Sequence, residues 1–262
     1  MNGSKKRADI MSADDISNNE AAYVWLTQSS AQISDYTELL GKLGYQHIHI
    51  PLLTAQELAC DLPRSAQSYQ AIMLSSANAA HALQSLDDSF VSLPVYTAGD
   101  QTAEAARNCG FDNVVSAGAD LAQLEKIMAA NLKSEDGDIL YLSGQDISRI
   151  PEMHGFRIDR HICYKAEFLE DLPAAITDLI AQDKLAAITI FSGRAASCLS
   201  GLLQRHVHAL QPDCKLAMIK ALCLSDKVVN SIDALPLKAV RVADTPDRYG
   251  MLNVIKSELE IS

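Results

Sequence analysis

VYTAGDQTAEAA, residues 95–106, sets the pattern for the rest of the chain. It is typical of an apolar strand, a tight turn at Gly99 and Asp100, and a helix of good helix formers from Ala103 onward. Asp100 stands at the expected N-cap, and Glu104 adds an acid to the first turns. Such a turn points backbone N–H groups at the space above the strand end. Taken alone, the stretch is better explained as an ordinary β–α connection.

Apolar strands and helices alternate along the remaining chain. Further strands are expected at 24–27, 47–50, 71–74, 113–115, 139–142, 161–164, 187–191, 216–224 and 239–243. Because the central strands are apolar on both faces, the pattern predicts an α/β fold of parallel sheets covered by helices. Ligands of such sheets bind at the carboxyl ends of the strands. Helices are also expected after 75–78, at 55–59 and 147–149, and from Pro246, with Thr245 as its cap.

Length and composition suit one large or two small domains, because 48% of the 262 residues are hydrophobic. A net charge of −11 argues against nucleic-acid and anionic-membrane partners. Residues 1–20 are polar and predict a disordered leader rather than a signal peptide. The six cysteines are scattered without a CxxC motif, which favours a reducing compartment and a cytoplasmic protein.

Two segments of the chain align with each other without gaps. AIMLSSANAA at 71–80 matches AITIFSGRAA at 187–196, and each is followed further on by a strand ending in a small residue and Asp. Those two later turns are Gly99-Asp100 and Ser225-Asp226. The repeat indicates two similar α/β domains, and chance similarity between two β–α units is the alternative. A ligand between such domains would meet both sets of loops.

The order of several short motifs resembles the uroporphyrinogen-III synthase family from about Tyr23 onward. The matching pieces are SSANA at 75–79, AGDQTA at 98–103, YLSG at 141–144, CYKA at 163–166, IFSG at 190–193 and the Thr245-Pro246 helix start. No single motif is specific, and the resemblance depends on their order and spacing.

The resemblance implies two similar parallel-sheet α/β domains joined by a two-segment linker, with a ligand cleft between them. The discontinuous domain would take residues 21–50 plus 168–262, and the inserted domain 54–163. Segments 51–53 and 164–167 would be the linkers. The residues themselves also indicate connectors near these two places.

The resemblance also implies a reaction in heme biosynthesis. Linear hydroxymethylbilane loses water and closes with inversion of its last pyrrole ring, ring D, to give uroporphyrinogen III. No metal or organic cofactor is implied, and the protein is expected to act as a monomer on this small-molecule tetrapyrrole. Tyr164 matches the family's tyrosine and is the candidate catalytic residue, as hydrogen-bond donor to the departing hydroxyl group. A carboxylate-rich substrate suits small loop residues and backbone donors, here Ser75, Ser76, Gly99, Thr102, Ser143, Gly144, Ser192 and Gly193.

Two positions depart from the family's pattern. Gln28 stands where many bacterial relatives have Arg, and Val228 stands where relatives often have Thr. Both changes remove polar or positive groups from the expected cleft, so a retired homologue stays an alternative. A non-catalytic two-domain protein that binds a small anionic ligand is the other. The pairs His47-x-His49 and His206-x-His208 have no Cys or carboxylate to complete a metal site.

Overall fold

The computed structural model describes residues 21–29, 33–63, 65–118, 120–207, 215–232 and 235–260. The predicted leader at 1–20, together with Cys214 and His208, lies outside these ranges. The strands are β1 (Tyr23–Leu26), β2 (Gln46–His49), β3 (Leu53–Glu57), β4 (Tyr69–Leu74), β5 (Val95–Thr97), β6 (Val114–Ser116), β7 (Asp138–Gly144), β8 (Ile158–Phe168), β9 (Leu185–Ile190), β10 (Lys220–Cys223) and β11 (Ala239–Val242). The α-helices are Ser34–Lys42, Asp100–Asn108, Leu121–Asn131, Ala174–Ala181, Gly193–Val207, Asp226–Val229 and Arg248–Leu259.

The strands form two sheets, which confirms the predicted α/β class. One has the order β11-β10-β9-β1-β2, with every neighbouring pair parallel. The other has the order β3-β8-β7-β4-β5-β6, and its pairs from β8 to β6 are parallel. The chain divides into two compact units: a discontinuous unit, up to Thr54 and from Phe168 onward, and an inserted unit, Ala55–Glu167.

The central strands of each sheet are buried on both faces. In β4, Ile72 and Leu74 pack into one apolar cluster, while Ala71 and Met73 pack into another on the opposite face. The same alternation in β1 and β9 sends neighbouring residues into separate clusters of the discontinuous unit. Side chains alternate faces along a strand, so strands covered on both sides need continuous apolar runs. Burying each large aliphatic side chain contributes roughly 1.5–3 kcal/mol.

Three connecting segments differ from the sequence prediction. Residues 55–59, expected as a helix, lie largely in β3, the neighbour of β8. Just after β3, Leu58 N donates to the Cys163 carbonyl at 2.8 Å. Residues 55–59 are good helix formers, but so short a segment makes a marginal helix by itself, so cross-strand hydrogen bonds outweigh its local propensity. Residues 147–149 form bends rather than a helix. The segment after Ser76 is a 3₁₀ helix, Ala77–Ser85.

The predicted helix caps were also wrong at two helices. Gly99 is the N-cap of the helix Asp100–Asn108, and the Asp100 carboxylate instead accepts from Ser116 Oγ at 2.7 Å. The last helix begins at Arg248, and its cap is Asp247, whose carboxylate accepts from Gly250 N at 2.9 Å. A carboxylate makes a stronger capping bond than the Thr hydroxyl predicted for this role.

No helix within the described ranges is long and apolar enough to cross a bilayer.

Candidate active site at the strand ends of the inserted unit

A cavity of about 320 Å³ lies at the carboxyl ends of the central strands of the inserted unit. Its walls come from the residues after β4 and β5, from β7 and the bends after it, from β8, and from the start of the helix Leu121–Asn131. The lining residues are Ser75, Ser76, Ala98, Asp120, Leu121, Tyr141, Asp146, Ile147, Ser148, Arg149 and Tyr164. This is the edge at which parallel sheets bind ligands.

Strand register brings the lining together. Leu74, the last residue of β4, lies opposite both Leu142 of β7 and Thr97 of β5. The loops that follow β4 and β5 therefore begin at the same level, and β7 continues two residues further. Gly144 at the end of β7 pairs with Tyr164 of β8. The end of β4 thus places the predicted residues Ser75 and Ser76 at the cavity, and the pairing of β8 with the end of β7 places Tyr164 there as well.

Tyr164 is half-buried, and its ring lies over Gly144. A Cβ atom built on Gly144 would be 2.5 Å from Cζ of Tyr164 and 2.8 Å from its hydroxyl oxygen. Gln145 N donates to the Tyr164 carbonyl at 2.8 Å and fixes the backbone of the tyrosine. Among the described residues, the phenol hydroxyl has no hydrogen-bond partner, so it is available to a ligand in the cavity.

A second phenol, Tyr141, lies deeper in the same wall. Its side chain is fully buried, and its hydroxyl shares a hydrogen bond of 2.7 Å with Ser75 Oγ. Burial raises the pKa of Tyr141, although the bond to Ser75 and the nearby Arg160 guanidinium act in the opposite direction. The phenol therefore stays protonated at neutral pH, and when it donates to Ser75 the serine proton is free to point elsewhere.

Arg160 of β8 supports the end of β7. Its guanidinium donates to Ser143 Oγ at 2.8 Å, to the Gly144 carbonyl at 2.7 Å and to the Gln145 carbonyl at 3.0 Å. Ser143 is fully buried and is absent from the cavity lining. The predicted residue Ser143 therefore anchors the turn that carries Gly144.

The charged groups of the lining are already engaged. Arg149 makes a bidentate pair with Glu125, with bonds of 2.6 and 2.5 Å, and these bonds hold the pKa of Glu125 below its usual range. The Asp120 carboxylate caps its helix by accepting from Gln123 N at 2.9 Å. The groups best placed to bind a new anion are therefore neutral donors, namely hydroxyls and backbone N–H groups.

Two predicted residues lie beside the cavity without lining it. Gly99 caps the helix Asp100–Asn108, and Thr102, in the first turn, is buried with its N–H bonded to the Gly99 carbonyl at 3.1 Å.

Ser192 and Gly193 belong to the discontinuous unit, at the carboxyl end of β9. Ser192 Oγ accepts from Ala195 N at 3.2 Å, just as its repeat equivalent, Ser76, accepts from Asn78 N at 3.3 Å. The two loops of the repeat thus use the same serine to begin a helical segment.

The two unusual positions have different environments in the discontinuous unit. Val228 is 2% exposed and packs in the apolar core, where its side chain stabilises the unit. Gln28 follows β1, and both polar atoms of its side-chain amide are hidden from solvent with no partner among the described residues. The Gln28 carbonyl is 2.8 Å from His49 Nε2. In the part of the chain that the structure describes, no three His, Cys, Asp or Glu side chains form a metal-binding group.

Sequence reasoning missed Tyr141 and Arg160 as parts of this site. Tyr141 lies inside the quoted YLSG motif, in a strand of otherwise apolar residues, and a tyrosine hydroxyl in such a strand needs a polar partner. That was an available signal. Arg160 gave none, because its partners lie 15 to 17 residues away in the sequence and meet it only through strand pairing.

The fold and the site define a class: an α/β protein with two mostly parallel sheets and a ligand cavity at the strand ends. The family model described as uroporphyrinogen-III synthase HemD matches residues 34–253. The chain belongs to the uroporphyrinogen-III synthase family, and it is an enzyme of that type, a lyase of tetrapyrrole biosynthesis.

A solved structure agrees at the level of fold. The chain is similar to the uroporphyrinogen-III synthetase from Helicobacter pylori 26695, with 15% identity and a TM-score of 0.57 over 90% of this chain and 99% of that one. It also matches a mutant uroporphyrinogen III synthase from Thermus thermophilus at 15% identity and a TM-score of 0.45, covering 91% of this chain and 99% of that one. A search of curated proteins gave no significant match.

Proposed function

We propose that this chain converts hydroxymethylbilane into uroporphyrinogen III and water, and that the cavity of the inserted unit holds the reacting end of the substrate. The observation that carries this placement is the Tyr164 hydroxyl, which has no partner among the described residues and lines a cavity together with Ser75 and Ser76. A donor without an internal partner at a ligand-sized cavity is available for chemistry.

Tyr164 donates a hydrogen bond to the substrate hydroxyl as it leaves as water. A phenol O–H is a hydrogen-bond donor, which is what the departing hydroxyl group needs. The hydroxyl group leaves as water together with the N–H proton of its own pyrrole ring. This gives a reactive azafulvene, which the substituted carbon of the last ring attacks. The remaining work of the protein is to hold the chain in that geometry. Gly144 serves this step because only a residue without a side chain leaves room for the Tyr164 ring.

Neutral donors bind the substrate carboxylates. Arg149 is paired with Glu125, so the cavity offers the hydroxyls of Ser75, Ser76 and Ser148 instead. In this role Tyr141 holds the Ser75 oxygen and leaves the serine proton for a carboxylate. Each such bond to a charged acceptor contributes about 1.5–3 kcal/mol. The backbone N–H of Gly99 adds to these at the helix start, and Thr102 supports that start through its bond to the Gly99 carbonyl.

The discontinuous unit supplies the second half of the binding site in this proposal. A cavity of about 320 Å³ is at the lower end for ligand pockets, so it suits part of a four-ring substrate. Ser192 and Gly193 occupy the equivalent strand end in the other sheet. The Gln28 amide, which has no partner within the described ranges, follows a neighbouring strand. We assign these residues to the rest of the substrate, which lies in a cleft between domains 21–50 plus 168–262 and 54–163, with 51–53 and 164–167 as linkers.

We further propose a cytoplasmic monomer that needs no cofactor. The thiols of Cys60, Cys109, Cys163 and Cys198 are not in disulfides, which suits a reducing compartment.

The direct test is to supply hydroxymethylbilane and separate the uroporphyrinogen isomers by chromatography. The synthase forms isomer III, whereas spontaneous closure without ring inversion gives isomer I. An unchanged yield of isomer I in the presence of the folded chain would contradict the proposal.

A further inference from the structure

Cys60 and Cys163 bring two thiols together in the inserted unit. Their sulfurs are 3.4 Å apart, and the Cys60 thiol donates to Cys163 Sγ. The Cys163 thiol in turn donates to the His161 carbonyl at 3.5 Å. The two residues are 103 positions apart in the sequence, so only the fold brings them together. We propose that Cys60 and Cys163 are a redox-active pair that forms an intramolecular disulfide by exchange with a small-molecule disulfide of the glutathione type.

The surroundings of the pair allow the bond to form. A disulfide bond is about 2.05 Å long, so the sulfurs have to approach by roughly 1.4 Å. Cys163 is fixed in β8, whereas Cys60 lies after β3 in a segment without regular secondary structure. The approach can therefore come from a small movement of the Cys60 side chain and its backbone, with the sheet left in place.

The two thiols have different exposure, and this sets the order of the steps. Cys163 is fully buried, while Cys60 is only partly buried. Burial, together with the neighbouring Cys60 thiol, raises the pKa of Cys163 to about 12. A protonated, buried thiol is a poor first nucleophile. Cys60 is therefore the residue that meets the external disulfide first.

The exchange is balanced in two steps. The Cys60 thiolate attacks one sulfur of the external disulfide, forms a mixed disulfide and releases one small-molecule thiol. The Cys163 sulfur, losing its proton, then attacks the Cys60 sulfur and releases the second small-molecule thiol. The two cysteines lose two electrons and two protons, and the external disulfide gains them. No other oxidant is needed.

The test equilibrates the reduced full-length chain with glutathione and glutathione disulfide over a range of ratios. The remaining thiols are alkylated with N-ethylmaleimide, and the peptides are identified by mass spectrometry. We expect a Cys60–Cys163 cross-link that forms ahead of any other cysteine pair and disappears with dithiothreitol. If both residues stay alkylated at every ratio, or if Cys60 stops at the mixed disulfide in the unmodified chain, the proposal is wrong.

Two variants test whether the disulfide is specific to Cys60 and Cys163. Cys163→Ala removes the second thiol, so Cys60 should accumulate with one bound glutathione. Cys109→Ser is the matched control, because the Cys109 sulfur contacts the Ala80 carbonyl and should not affect the cross-link. A cross-link between Cys60 and another cysteine in Cys163→Ala would overturn the pairing. If Cys163→Ala does not fold, the peptide map of the unmodified chain still tests whether Cys60 and Cys163 form a disulfide.

Discussion

Two tyrosines meet at the cavity of the inserted unit, and their surroundings give them different roles. Tyr141 is fully buried, and its hydroxyl is bonded to Ser75. Tyr164 is half-buried and has no hydroxyl partner within the described residues. Only the second phenol can exchange its hydrogen bond with water for one to a substrate without breaking an internal contact. We therefore propose Tyr164 as the hydrogen-bond donor to the departing hydroxyl group and Tyr141 as the residue that positions Ser75.

Replacing Tyr164 by Phe tests that assignment. The change keeps the ring and removes only the donor, so turnover should fall at least roughly tenfold, at the weak end of general-acid effects of about 10²–10⁴-fold. Circular dichroism should show an intact fold. Tyr141→Phe is the matched control: it should lower stability by about 1 kcal/mol through the lost bond to Ser75, with a smaller loss of turnover. Unchanged turnover in Tyr164→Phe would make this tyrosine structural.

A third tyrosine, Tyr69, contributes to stability at the amino end of β4, away from the cavity. Its hydroxyl donates to Asp159 Oδ2 at 2.5 Å, and His161 Nε2 lies 3.2 Å from the same oxygen. The bond from Tyr69 is the main cause that lowers the pKa of Asp159. Burial, followed by the bond to Asp159, raises the pKa of Tyr69 to about 12.

These pKa shifts predict how the loss of unfolding free energy in Tyr69→Phe depends on pH. A lowered carboxyl pKa stabilises the fold above the unfolded value near 3.9, and this contribution is lost as pH falls through the folded pKa. The raised phenol pKa stabilises the fold below about pH 10, and this contribution is lost as pH rises toward the folded value. The difference in unfolding free energy between wild type and Tyr69→Phe should therefore be largest in between. Urea unfolding at several pH values measures this difference. If the difference does not become smaller in acid, the hydrogen bond between Tyr69 and Asp159 does not stabilise the fold.

At the scale of elements, the end of β7 is the part that positions the site. Arg160 ties Ser143 to the Gly144 and Gln145 carbonyls, and Gly144 leaves the space that the Tyr164 ring fills. Strand pairing thus fixes the tyrosine through backbone contacts on both β7 and β8.

Gly144→Ala should displace the Tyr164 ring, because the added Cβ would lie 2.5 Å from Cζ. Turnover is expected to fall toward that of Tyr164→Phe, with a stability cost of roughly 1–3 kcal/mol for the overpacking. Steady-state kinetics and urea unfolding measure the two effects. Gly41→Ala is the control, since a Cβ there meets nothing within 4 Å and the residue lies in a helix far along the sequence. If Gly144→Ala retains full turnover, the contact with Tyr164 does not position the phenol.

The helices and strands also show which parts of the fold the local sequence can predict. The apolar runs of β4, β7 and β9 predicted the buried strands because burial on both faces leaves a pattern in the sequence itself. Residues 55–59 were predicted as a helix but lie largely in β3. The prediction failed because β8, the strand that β3 pairs with, is distant in sequence. The cap predicted at Thr245 was wrong because the Asp247 carboxylate, two residues on, takes the N–H group, and the cap predicted at Asp100 was wrong because Gly99 is the N-cap. Ser75, Ser76 and Tyr164 could be placed at one edge from strand order, but the support from Arg160 could not.

At the scale of the molecule, the two units repeat one design. Each has a central buried strand followed by a serine that caps a helical segment, at Ser76 and at Ser192. Each also has a helix that begins at an aspartate, Asp100 or Asp226. With a net charge of −11, the chain as a whole repels an anionic substrate, so the binding free energy has to come from local donors at these strand ends.

The most direct measurement is the yield of isomer III as the amount of added chain is reduced far below the amount of hydroxymethylbilane. A catalyst turns over, so isomer III should dominate while substrate molecules greatly outnumber protein molecules, and Tyr164→Phe should need more protein to reach the same yield. A non-catalytic binding protein would at most change the isomers in proportion to its own amount. A product that stays isomer I at every concentration of folded chain would contradict the account.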